Sequence, residues 1–541
     1  MTEDRSILTR RPRATALAAA LALLVVPMAP VDAASRTVSA TPATEVEEPA
    51  LRFANGELTL SLDEAIELAL QRNLGLVIQR YSRQQVRLGV QQAMGIYDLN
   101  FGGTASAAHD ESPLASNLEG VAVQESDSWR ATLGVTQLLP TGGTAQFGGL
   151  ASKFDTNALS FGLNPSFGSG AELSLTQPLL RNFGKSSTEF GIRVARLSSE
   201  QSSFVFQEEV IRLLQIVEGA YWRLVEAREQ LKVAEESKRL AMQLHENNRV
   251  RVDVGTLAPL ELVSSEAGIA TREEELIRAR AEIGNAEDVL KTLLRLEGDK
   301  VWAATIVPET APDIEHAAVD LDQALVTGLE SRLELRREEV AQRSREVEAA
   351  YYRYQRKPRL DLSATYGFSG TGGDLVIRDD AGNVVATVPG GLSDAVDQVT
   401  GGDFPGWSVG LELGIPIQNR DARARATIAE LAVDQGRTGI DQVRQLVTTE
   451  VRLAVRGVET ASQELESARV SVRLQTANLD AERKKFTNGL STSFQILQVE
   501  EDLTNARSRE VRAVTGYRRA LVEYNRAIGK LIERSGVEIV D

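Results

Sequence analysis

FTNGLSTSFQIL, residues 486–497, stands between two long charged segments with helical periodicity. It reads as a helix end, a glycine turn and a capped restart. Glycine suits a helix C′ position because it tolerates positive φ, and Ser491, Thr492 and Ser493 offer hydroxyls to the next N-terminus. VDVGTLAPLELV, residues 252–263, has the same layout 234 positions earlier, with Gly255 in place of Gly489 and Thr256 as the capping hydroxyl. The spacing predicts two helical hairpins closed at Gly255 and Gly489.

The flanking segments keep this register. Val217, Leu224 and Leu231 recur every seven residues, and Ala220, Ala227 and Ala234 follow each by three. Adding 234 lands on Val451, Val458 and Leu465 and on Ala454, Ala461 and Ala468. A seven-residue apolar period makes a coiled-coil seam, and alternate alanines let neighbouring helices approach closely. Each long helix runs from a strand region to its tip over about 60–65 residues, roughly 95 Å at ~1.5 Å per residue. The helices leaving the tips, 260–296 and 493–532, are shorter, and the opening helices 62–94 and 321–354 supply the missing length if they stack end to end with them.

Further matches extend the repeat. LDEAIELAL (62–70) resembles LDQALVTGL (321–329), and LSLTQPLLRN (173–182) resembles LELGIPIQNR (411–420), with Pro178 falling on Pro416. The chain therefore divides into a leader (1–33), a linker (34–57), a first repeat (58–297), a joint (298–319), a second repeat (320–532) and a tail (533–541). The leader carries Arg10, Arg11 and Arg13, the apolar run ATALAAALALLVVPMAPV and a small-residue site at Val31-Asp32-Ala33. That order is a secretory signal peptide.

Between the opening and long helices the period changes from helical to two. In RLDLSATYGFS (359–369), Leu360, Leu362, Ala364, Tyr366 and Phe368 share one face, and Asp361, Ser363, Thr365 and Gly367 the other. In WSVGLELGIPI (407–417), Trp407, Val409, Leu411, Leu413, Ile415 and Ile417 oppose Ser408, Gly410, Glu412 and Gly414. Four more strands are expected at 97–107, 129–139, 143–154 and 171–179, so the strand regions cover about 97–180 and 359–418. Tight LPTGG (139–143) joins the second and third of these, while 108–128, 155–170 and 370–404 read as long outer loops. Strands of about ten residues, apolar on one side and small and polar on the other, fit a membrane β-barrel. No apolar run after the leader approaches the ~20 residues of a spanning helix, so a membrane crossing must use strands.

Composition narrows the function. Of 541 residues 25% are charged, with a formal net charge of -16, which disfavours nucleic acid as a partner. The absence of cysteine excludes disulfides and thiolate chemistry. His109, His245 and His316 are scattered, and no Walker-type loop, Gly-x-Ser-x-Gly or His-Glu-x-x-His occurs. No catalytic, cofactor or metal site is expected, and no enzyme.

The duplicated layout, LTQPLLRNFG before the first long helix and NGLSTSFQILQVEEDLTNAR (488–507) after the second tip resemble the TolC-like outer-membrane efflux proteins over residues 58–532. The resemblance implies a mixed α+β membrane protein: a homotrimer whose strands share one transmembrane barrel, continuous with a periplasmic α-helical coiled-coil barrel. It implies outer-membrane lipid, a periplasmic adaptor and an inner-membrane pump as partners. It also implies an exit channel for efflux or type I secretion whose entrance is constricted by the tips. At that entrance Phe486 matches the family's aromatic tip position. The family's paired aspartates, six and nine residues past the turn glycine, are replaced by Gln495 and Gln498, with Glu261 at the equivalent first-half position. Arg249 and Arg251, and Arg483, Lys484 and Lys485, lie with Gly255 and Gly489 where adaptor hairpins dock. The family pattern has four strands per protomer and twelve in the trimer; six here imply an enlarged barrel of eighteen. A periplasmic adaptor, with one hairpin and a lipoyl-like β segment, and a structural coiled coil are the rival readings.

Overall fold

The computed structural model describes residues 52–54, 56–113, 121–312, 318–379 and 383–537; the expected signal peptide lies outside them. These residues form two compact units, a sheet unit within 90–194 and 346–431 and a helical unit within 52–89, 195–345 and 432–537.

In chain order the elements are β1 (Arg52–Ala54), β2 (Glu57–Leu60), α1 (Leu62–Arg72), α2 (Leu74–Met94), β3 (Asn100–Pro113), β4 (Val123–Leu138), β5 (Thr144–Thr156) and β6 (Leu163–Pro178). Next come the short α3 (Lys185–Thr188), the long α4 (Phe190–Asp253), α5 (Leu260–Leu293), the short α6 (Asp299–Ala303) and β7 (Thr305–Pro308). The chain continues through α7 (Leu321–Ser331), α8 (Leu333–Gln355), β8 (Arg359–Arg378), β9 (Val384–Val388), α9 (Leu392–Gly401) and β10 (Pro405–Gly414). It closes with the long α10 (Arg420–Thr487), α11 (Ser493–Ala527) and α12 (Leu531–Arg534).

All six expected strands enter one antiparallel sheet in the order β10-β8-β6-β5-β4-β3, with β9 added beside the far end of β8. One row of paired residues runs through every strand on one face: Phe101, Val135, Phe147, Leu173, Tyr366 and Trp407. The adjacent row on the other face is Asn100, Thr136, Gln146, Ser174, Thr365 and Ser408. Side chains alternate across a pleated strand, so the sheet has one apolar and one polar face. The polar face lines a trough of about 940 Å³. Trp407, Val409, Leu411 and Leu413 on β10 are each more than 60% exposed, and so is Phe101 on β3. Leu133, Phe147 and Tyr366 between them are exposed as well. Among the described residues β3 and β10 are the two ends of the strand order, each paired on one side only.

Three expectations change here. The strands are longer than alternation suggested, so 108–128 and 155–170 are largely strand, and 370–404 holds the end of β8, β9 and α9. β10 ends at Gly414, because Pro416 has no N–H for a ladder. The opening helices each break once, at Asn73 and at Arg332, where ψ turns to 124° and 125°. Asn73 accepts from Leu76 N–H and donates to the Leu293 carbonyl. Arg332 is buried between Glu334 and Glu450, each at 2.8 Å.

The helical unit is packed along the heptads. Val217, Leu224, Val451 and Leu465 are fully buried and Val458 nearly so, with Ala220, Ala227, Ala234 and Ala454 buried beside them. A small sheet, β1-β2-β7, adds Leu58, Leu60 and Ile306 to the largest cluster. Tyr221 lies beneath it, donating to the Leu60 carbonyl at 3.1 Å and accepting from Thr310 N–H at 3.0 Å. Among the described residues no helix is long and apolar enough to cross a membrane.

Candidate pore entrance at the helical tips

Both tips close in the same geometry. Gly255 and Gly489 have φ of +76° and +75°. At the first tip Thr256 N–H donates to the Arg251 carbonyl (2.8 Å) and Gly255 N–H to Val252 (2.9 Å). At the second, Leu490 N–H donates to Lys485 (2.9 Å) and Gly489 N–H to Phe486 (3.1 Å). This double bond pattern is a Schellman motif, which satisfies the last carbonyls of a helix.

The restarts differ. Thr492 caps α11 in a capping box with Gln495: each side chain accepts from the other residue's backbone N–H, at 3.3 and 3.4 Å. Thr256 does not cap α5. Its hydroxyl turns back to the Arg251 carbonyl at 3.0 Å, and Pro259 occupies the α5 N-cap position without a side-chain bond. The cause is spacing, since α5 begins four residues after Thr256 whereas α11 begins directly after Thr492.

Arg251 joins the tips. Its guanidinium lies 4.4 Å from the Phe486 ring centroid and donates to the Phe486 and Thr487 carbonyls at 3.3 and 3.4 Å. Phe486 is 7% exposed and packs with Leu244 and Ile496, so in the single chain its ring faces the interior of the tip cluster. Gln498 and Gln495 are exposed. Glu261 is half-buried, and its Oε2 is enclosed without a hydrogen-bond partner. Arg249 pairs with Glu246 one turn away and Lys485 with Glu482, both on their own helices. Lys484 and Arg483 border a shallow cleft of about 390 Å³ with Asp480, Thr487 and Asn488.

Behind the tips the interior is polar. Ser493 bonds Asn248 at 3.2 Å, and His245 bonds Ser265 at 2.9 Å; Asn248, Ser265 and Ser493 are wholly buried. Glu500, also buried, accepts from Arg483 at 3.0 Å. Burial pushes the Glu500 carboxyl above its ordinary range despite Arg483 and Arg272 nearby. Glu482 is held below that range by Ser491 and Lys485.

The seam between the first and second hairpins, α4 against α11, continues this polarity upward. Ser237 meets Thr504 (3.1 Å), Gln230 the Ser508 carbonyl (2.9 Å), Glu226 both Thr515 and Arg519 (3.0 Å each), and Gln215 meets Glu523 (2.7 Å). Within the second hairpin, α10 and α11 instead share Val458, Leu465, Tyr517 and Leu521. Sequence reasoning missed this polar seam because each member, read alone, is an ordinary solvated helix residue. Among the described residues no group of His, Asp or Glu is placed to hold a metal ion.

Residues 312–530 match the family described as outer membrane efflux protein. No curated protein sequence matches the chain. Among solved structures, the outer-membrane channel OprN is 17% identical, with a TM-score of 0.64 over 87% of this chain and 90% of that one. The Campylobacter jejuni CmeC outer membrane channel is 14% identical, with a TM-score of 0.62 over 88% and 90%. The open-state Neisseria gonorrhoeae MtrE outer membrane channel is 15% identical, with a TM-score of 0.60 over 87% and 89%. The fold is that of these channels, and the resemblance to the outer-membrane efflux family is borne out.

Proposed function

From this likeness to outer-membrane efflux proteins as premise, we propose that the chain is the outer-membrane exit channel of a tripartite efflux or type I secretion system. Three copies share one barrel in the outer membrane, and their helices form a tunnel in the periplasm. An inner-membrane pump and its periplasmic adaptor engage the tips, and the cargo passes to the exterior. The conduit needs no cofactor or chemistry of its own.

One observation carries the reading: a sheet whose row of six strands is apolar along one face and ends, among the described residues, in two open edges. In lipid an unpaired edge is not tolerated, and only a closed barrel removes it. The apolar band also has the slope that a membrane barrel needs. On β4 its outward residues, Trp129 to Val135, centre three residues to one side of the cross-strand row; on β10, Trp407 to Leu413 centre three residues to the other. A stagger of six residues, roughly 20 Å, across four strand spacings of ~4.8 Å gives a tilt of about 45°. Transmembrane barrels tilt by ~35–45°. Six strands from each of three copies make an eighteen-stranded barrel, half as large again as the twelve of the family pattern.

At the entrance, the Gln495 and Gln498 rings stand where acidic rings would select cations, with Phe486 and Glu261 beside them. Arg249, Arg251, Arg483, Lys484 and Lys485 form the cationic surface around Gly255 and Gly489 on which an adaptor docks. The polar α4–α11 seam is the joint along which the second hairpin swings, because side-chain hydrogen bonds exchange for water at little net cost. An adaptor would carry one hairpin, and this chain has two tips.

The test is fractionation and electrophoresis. The mature chain should sediment with outer membrane and run in mild detergent as a trimer that heat converts to monomer. A water-soluble monomer without detergent would end the proposal.

A further inference from the structure

Helix α9, within the longest link of the sheet unit, lies on the apolar face of the sheet. The β6–β8 register is unbroken from Ser166/Gly373 to Pro178/Asp361, so Gly370 and Gly372 share a face with Phe368, Tyr366 and Leu360. A Cβ on Gly370 would fall against the Ala395 carbonyl, and one on Gly372 against Gly391; only glycine lets the helix come this close. Ser169, paired with Gly370, donates to the Ala395 carbonyl at 2.7 Å. A Cβ on Gly402, which ends the helix, would lie 3.4 Å from the Phe368 ring.

The helix also completes the wall. β10 pairs with β8 only up to Phe368, and β9 pairs only from Leu375. In the gap, Gln398 gives Thr371 what a strand would: its Oε1 accepts from Thr371 N–H (3.0 Å) and its Nε2 donates to the Thr371 carbonyl (2.9 Å). The inner side of α9 buries Ala395, while Ser393, Asp397 and Thr400 are exposed on the other, with Val396 exposed at the flank and Asp394 turned back to cap the helix at Gly391 N–H. Directly below, Leu360 to Phe368 run roughly 26 Å along β8, or about 20 Å of height at a tilt near 40°, close to the ~25 Å apolar band of a membrane barrel.

We propose that α9 lies on the outside of the barrel at the level of the lipid headgroups, and that it sets the outer limit of contact between wall and acyl chains. The partner is a lipid surface. Acyl chains cover the face from Phe368 downward, and the polar back of α9, with Asp397 and Thr400, meets the headgroup layer. Burying Asp397 in hydrocarbon would leave a charge without water, whereas the Thr400 hydroxyl already donates to the Val396 carbonyl at 3.1 Å. The inference rests on the barrel reading above, and the test separates the two.

Because the chain has no cysteine, single-cysteine variants can be labelled with an environment-sensitive fluorophore. D397C and T400C report on α9 and L411C on the wall. The labelled full chain is reconstituted in phosphatidylcholine/phosphatidylglycerol vesicles carrying a nitroxide at mid-chain or on the headgroup, and iodide serves as the aqueous quencher. L411C should respond several-fold more to the mid-chain nitroxide than to iodide. D397C and T400C should respond to the headgroup nitroxide and to iodide, and several-fold less to the mid-chain one. Equal mid-chain quenching at all three sites overturns the proposal, because α9 would then be submerged. Quenching of D397C and T400C by iodide alone, or by nothing, overturns it too, because α9 would then stand clear of the membrane or under another protein. If L411C itself escapes the mid-chain nitroxide, the barrel reading fails and takes this inference with it.

Discussion

Arg251 makes one ring contact and two carbonyl contacts across the tips, whereas Arg249, two residues earlier, pairs only along its own helix. A cation over an aromatic face is worth about 0.5–2 kcal/mol depending on desolvation. R251A should therefore loosen the tips and raise closed-state conductance in planar bilayers several-fold, while R249A leaves it unchanged; equal effects would remove the staple. Gly489 makes a cleaner case. A Cβ there meets nothing within 4 Å, so G489A is opposed only by positive φ, at roughly 1–2 kcal/mol. Limited proteolysis at 486–493 should quicken in G489A and less in G489N, and equal cleavage of all three chains would contradict this. Both glycines were legible in the sequence because a C′ glycine announces itself locally. Neither the burial of Phe486 nor the turning back of Thr256 was, since each depends on which side chain arrives from the other hairpin or from four residues downstream.

Among elements, the second hairpin combines an apolar α10–α11 seam with a polar junction to α4. S237A/T504V should make one contact of that junction apolar and favour the closed hairpin, lowering open probability in bilayer recordings. An unchanged or raised open probability would argue against the seam as the joint. Glu500 adds a pH dependence of definite sign. Burial raises its carboxyl pKa above the ordinary 4.5, so the folded tip retains a proton that the unfolded chain has released. That contribution is complete below 4.5 and fades as pH rises through the folded value. E500Q, neutral throughout, should flatten the pH dependence of tip protection from hydrogen exchange in the window just above 4.5; an unaltered profile would show that Glu500 is not its source. Long elements were the legible ones: heptads over about five turns announce α4 and α10, and period-two alternation announces the six strands. β1, β2 and β7 were missed because three or four residues carry no period, and α9 because Gly- and Asp-rich flanks read as loop.

For the whole molecule, the two ends of the sheet carry the account. β3 and β10 present exposed apolar residues and unpaired backbone, and the LPTGG turn lies between two paired strands of that same sheet. The sequence showed that six strands exist. It could not show that all six share one sheet, because alternation gives a strand's faces and not its neighbours. Closure through β10 of one copy and β3 of the next is the central claim, and disulfide trapping tests it most directly. Cysteines are introduced one on β3 and one on β10 of the otherwise cysteine-free chain, stepped along both strands, and oxidised in the outer membrane. At the correct register the account predicts covalent dimers and a closed trimer, with nothing larger. No intermolecular product at any register, or a ladder running past three chains, would contradict it.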